Sequence, residues 1–135
     1  MKKLSLYLIP IVLLLIFISA CAVQKEPAEP MQEYSLENGS VFSITATPTS
    51  WKLGKYNLNA LAYNNQIPGP LLKVKQGSTI YINFTNQISM NSTIHWHGLR
   101  HKNKDDGVPY VTQLPVKPGE SYLYELQFPD AGLYW

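Results

Sequence analysis

Between Thr79 and Asn86 the side chains alternate, with Ile80, Ile82 and Phe84 on one side and Thr79, Tyr81, Asn83 and Thr85 on the other. A period of two is the pattern of a strand with one buried face, and it does not fit an amphipathic helix. Ser121 to Phe128 alternates in the same way, setting Tyr122, Tyr124, Leu126 and Phe128 against Ser121, Leu123, Glu125 and Gln127 after a Pro118-Gly119 turn. Three further strands are expected: Val41 to Thr47, stopping at Pro48; Asn57 to Tyr63, ended by Asn64-Asn65; and Leu71 to Val74, after Pro68-Gly69-Pro70. With 10 Pro and 8 Gly placed singly between these runs, the chain reads as all-β, a sandwich or barrel of short strands.

The N-terminus has a different character. Lys2 and Lys3 precede an apolar run from Leu4 to Ile18, which is shorter than the roughly 20 residues of a membrane span. Ser19, Ala20 and Cys21 follow, so the segment reads as a secretory signal over 1–20. Ile18-Ser19-Ala20-Cys21 also resembles the lipobox of bacterial lipoproteins. That resemblance implies cleavage before Cys21, lipid on Cys21, and an exported protein anchored on the cell surface or the periplasmic side of a membrane. The stretch 21–39 is rich in Glu and Pro and poor in large apolar residues, and is expected to be a flexible tether. The folded domain is expected over 40–135.

The composition, 45% hydrophobic and 15% charged, suits one globular domain in 135 residues. The formal charge of +2 includes Lys2 and Lys3, so the chain without its signal is near neutral and nucleic acid is excluded as a partner. Cys21 is the only cysteine. An internal disulfide is therefore impossible, and so is a blue type 1 copper site in the domain, which needs a thiolate beside two imidazoles.

The chemistry sits in Thr93-Ile94-His95-Trp96-His97-Gly98. If this stretch is extended, His95 and His97 point to one face with Cα atoms roughly 6.5 to 7 Å apart. Trp96 then points into the core. Two imidazoles at that reach can grip one metal ion or serve two adjacent ones, and zinc, copper, iron and nickel all accept such ligands. A zinc enzyme would need a third histidine from elsewhere. His101 lies in a charged loop and is expected in solvent; Trp135 is expected in the core.

Seven blocks occur in order: Asn65-Gln66-Ile67-Pro68-Gly69-Pro70, Gln76-Gly77-Ser78, Ile94-His95-Trp96-His97-Gly98-Leu99, Asp106-Gly107-Val108-Pro109, Thr112-Gln113, Pro118-Gly119-Glu120-Ser121 and Ala131-Gly132-Leu133-Tyr134-Trp135. This ordered set resembles the first domain of multicopper oxidases, the family of laccases and ascorbate oxidase. The resemblance implies a cupredoxin-like Greek-key β-sandwich. It also implies copper: His95 as a ligand of the type 2 ion, His97 as a ligand of one type 3 ion, and Asp106 beside the trinuclear cluster as a proton relay. In the family a further His-x-His follows the block matching Tyr134-Trp135, so the chain reads as a fragment, incomplete at its C-terminus and inactive alone. The type 1 copper and the remaining cluster ligands are expected in later domains of the same protein. Implied partners are a small-molecule or metal-ion reductant and O2. Two other readings stand beside this one: a protein like the copper nitrite reductases, and a non-catalytic cupredoxin-like surface module.

Overall fold

A computed structural model describes residues 25–135. The expected signal, the lipobox and Cys21 lie outside the described residues. Six strands are present: β1 (Glu33–Leu36), β2 (Val41–Leu53), β3 (Tyr56–Tyr63), β4 (Leu71–Val74), β5 (Thr79–Asn86) and β6 (Ser121–Gln127), with one short 3-10 turn at Asn103–Asp105. They form a four-stranded sheet ordered β3-β2-β5-β6 and a two-stranded parallel sheet, β1-β4. β2 runs antiparallel to β3 and parallel to β5, and β5 runs antiparallel to β6.

The alternation in β5 and β6 builds the core. Ile80, Ile82 and Phe84 are fully buried, and Tyr124 and Leu126 of β6 lie beside them, paired through Ile82↔Tyr124 and Ile80↔Leu126. Each large apolar side chain removed from water in this way contributes about 1.5–3 kcal/mol. Ile44 and Ala46 of β2 join the cluster, as do Ile88, Ile94 and Val116 from the loops. Leu36, Leu72 and Val74 cover it from the second sheet. Asn64 and Asn65 close β3 with φ of 51° and 58°, a left-handed conformation that asparagine tolerates. The Asn64 side chain stitches the turn to β2, accepting from Thr45 N at 2.7 Å.

Two expectations fail. β2 does not stop at Pro48 but runs on to Leu53. Pairing with β5 ends at Ala46↔Asn86, and from there β2 continues against β3, with only a short bridge from Pro27 to Ser50 on its other side. Ser50, two residues after Pro48, turns its N–H and C=O away from β3, toward Glu26 and Ala28. Pro48 therefore faces its missing donor to the same side, where β5 has already ended, and no ladder bond is lost.

The stretch expected to be a flexible tether is also bonded into the domain over 25–39. β1 lies within it, Ala28 N donates to Ser50 O at 2.7 Å, and Glu29 N donates to Asn65 O at 2.8 Å. Tyr34 packs on Phe42 with ring centroids 4.7 Å apart, and Leu36 packs on the core. Alternating Tyr34 and Leu36 supply the apolar edge that the Glu- and Pro-rich composition conceals.

Candidate metal centre

The segment carrying the histidine pair is anchored by the residues between them. Ile94 is 7% exposed, and its N–H donates to the Tyr124 hydroxyl at 3.1 Å. Trp96 packs edge-on against the Tyr124 ring at 5.6 Å. Burial pushes the Tyr124 phenol up to about 12. The segment forms no strand ladder beyond the Ser92–Val116 bridge, yet the expected alternation holds. Ile94 and Trp96 point inward, while His95 and His97 stand exposed on the other side, their ring centroids 5.7 Å apart.

Each ring has its own support. His95 Nδ1 lies 2.7 Å from the carbonyl oxygen of Asp106. A carbonyl can only accept, so Nδ1 carries the proton and Nε2 keeps its lone pair for a metal. His97 stacks on Trp135 with centroids 4.7 Å apart and planes 20° from parallel, and its backbone N–H donates to Trp135 O at 2.7 Å. Trp135 is thus not a core residue; it is 80% exposed and serves as the floor under His97.

Asp106 reaches His95 because Gly107 lets two backbones touch. Gly107 has φ of +73°, and a Cβ there would stand 1.7 Å from Ile94 O. No side chain fits. Asp-Gly is therefore more than a turn pair at this position; it is the point where the loop docks on the histidine segment. The loop is pinned from its other side by buried Asp105, whose Oδ1 accepts from Glu125 N at 3.1 Å, and by Tyr122, whose hydroxyl donates to Lys104 O at 2.9 Å. Just beyond, Thr112 Oγ1 accepts from Val108 N at 2.9 Å.

The Asp106 carboxylate lies between two imidazoles, with Oδ1 3.7 Å from His95 Nδ1 and 3.8 Å from His101 Nε2. The expectation for His101 is corrected here. Its side chain is 1% exposed, folded in beneath the loop instead of standing in solvent. The charged neighbours that made it look exposed are directed outward: Arg100 pairs with Asp130 and Lys102 with Glu125. Hydrogen bonding in the second pair holds Glu125 below the usual carboxylate range and Lys102 above the usual amine range.

As a donor set, two exposed imidazoles with one Nε2 already freed suit copper as they suit zinc, iron or nickel. Among the described residues no group of three or more His, Cys, Asp or Glu side chains converges to hold a metal ion. The chain therefore offers part of a coordination sphere.

The family model described as multicopper oxidase matches residues 45–135. The chain belongs to the multicopper oxidase family. Among curated relatives, Laccase-3 of Oryza sativa subsp. japonica is 43% identical over 98 residues, covering 70% of this chain and 17% of that protein. Multicopper oxidase MmcO of Mycobacterium tuberculosis is 34% identical over 93 residues, covering 69% of this chain and 18% of that protein. The solved multi-copper oxidase of Pseudomonas thermotolerans superimposes with a TM-score of 0.68 at 35% identity, covering 77% of this chain and 25% of that one. The chain thus spans less than a fifth of the length of these curated relatives. The two sheets are a cupredoxin-like domain of a multicopper oxidase.

Proposed function

We propose that the whole protein is a copper-dependent oxidase that couples one-electron oxidation of a small-molecule or metal-ion reductant to reduction of O2 to water. The observation that carries this reading is the histidine pair: two rings exposed on one side, 5.7 Å apart, with His95 Nδ1 committed to a backbone carbonyl. In this reading His95 is a ligand of the type 2 copper and His97 of a type 3 copper. The remaining ligands and the type 1 copper come from other parts of the polypeptide. Copper bound there supplies the one-electron chemistry of oxygen reduction.

This chain's residues then have distinct tasks. The Asp106 carbonyl orients His95, and Trp135 fixes the plane of His97. The Asp106 carboxyl, one third exposed and beside His95, is placed to pass protons inward, which oxygen reduction consumes. The family match favours an oxidase over a nitrite reductase or a non-catalytic module, since the named relatives are laccases and multicopper oxidases. Lys2, Lys3 and Ile18-Ser19-Ala20-Cys21 support export with a lipid on Cys21, and Cys21→Ser should release the protein from the membrane fraction.

The deciding experiment is His97→Ala in the full-length protein. It should abolish oxygen consumption while leaving the blue absorption band of the type 1 copper. Normal turnover by this variant would refute the assignment.

A further inference from the structure

His101 has a role that its place in a charged loop hides. Its ring is 1% exposed, and Nε2 has no hydrogen-bond partner among the described residues. Nδ1 faces Lys102 O at 3.2 Å, an acceptor, so the ring's other edge is already occupied. Leaving a buried ring nitrogen unpaired costs about 1–3 kcal/mol, and sequestered polar atoms without a partner are rare for that reason. The charged group that Nε2 faces is Asp106 Oδ1, 3.8 Å away. Closing that gap to a hydrogen bond requires the carboxyl to move by about 1 Å.

We propose that His101 is a positioning residue for Asp106. Its Nε2 engages the Asp106 carboxyl and holds it turned along the histidine segment, so that the group stays beside His95 and does not swing into solvent. With Nδ1 donating to Lys102 O, Nε2 is the one ring edge left to meet the carboxyl, and the contact closes as a hydrogen bond when a proton is shared between them. The role rests on the proton function proposed for Asp106, and it adds a residue for which the His-Trp-His-Gly pattern gives no cue.

Two substitutions in the full-length protein separate positioning from space-filling. His101→Leu keeps the volume and removes the polar edge; His101→Gln restores an amide near Nε2. His101→Leu should retain its copper and its KM for the reductant while kcat falls about tenfold, well inside what misplacing a reacting group can cost. His101→Gln should recover most of that loss. A second arm needs no turnover: in the copper-free protein, the His101 Nε2 nitrogen-15 resonance should shift when Asp106 is changed to Asn. Wild-type kcat in His101→Leu, no recovery in His101→Gln, or a resonance indifferent to Asp106 overturns the proposal. Loss of turnover in Asp106→Asn without loss in His101→Leu overturns the positioning alone. Wild-type turnover in Asp106→Asn overturns the proton role itself, and with it any use for the positioning.

Discussion

His95 is aimed by the main chain of Asp106, not by its carboxylate: Nδ1 sits 2.7 Å from the carbonyl oxygen and 3.7 Å from Oδ1. One residue thus makes two separable contacts, which in the proposed function are two jobs: orienting a copper ligand through its backbone and presenting an acid through its side chain.

Asp106→Asn should divide those jobs. The carbonyl remains, so copper content and the type 2 electron paramagnetic resonance signal should match the wild type. The rate of oxygen consumption should fall roughly 10²-fold or more, the range general acid catalysis supplies. Loss of copper in this variant would show that the carboxylate, not the backbone, holds the site together.

Gly107→Ala attacks the docking point. The new Cβ meets Ile94 O at 1.7 Å, and φ is +73°. The left-handed conformation alone costs about 1–3 kcal/mol for a non-glycine residue. Urea unfolding should report a loss of at least about 3 kcal/mol once the clash is added, together with a perturbed type 2 signal.

Tyr124 makes stability depend on alkaline pH. Burial raises its phenol from the ordinary 10.0 to about 12, whereas the unfolded chain ionises at the ordinary value. The stabilisation is fully present below pH 10 and is lost as pH rises through the folded value near 12. The shift corresponds to about 2–3 kcal/mol. Tyr124→Phe should be less stable at neutral pH, because Ile94 N–H loses its acceptor, and its stability should decline less between pH 10 and 12.

Leu36→Ala tests whether residues 33–36 belong to the fold. As a strand residue packed on the core, Leu36 should cost about 2 kcal/mol when truncated. A change below about 0.5 kcal/mol, typical of an exposed tether, would count against β1.

The strands were legible where one face is apolar and the other polar. Ile80, Ile82 and Phe84 announced β5, and Tyr124 with Leu126 announced β6, because burial on one side enforces a period of two. β1 was not, since two inward residues in a Glu- and Pro-rich stretch carry too little periodicity to read. Pro48 misled because whether a proline breaks a ladder depends on which side still has a partner, and that is set by where β5 ends. At the site, the facing of His95 and His97 followed from their spacing, but their supports did not. The Asp106 carbonyl, the Trp135 ring and the burial of His101 all arise from irregular loops folding back on the histidine segment, and no periodic pattern encodes such a meeting.

Glu26 accepts from Ser50 N and from Thr49 Oγ1, so the chain is fastened to the sheet only five positions after Cys21. Five residues at full stretch reach at most about 18 Å. With acyl chains on Cys21, as proposed, this domain would therefore ride low on the bilayer on a short leash. Its orientation toward the lipid would be set by the end of β2 that carries Ser50, leaving it little freedom to move outward.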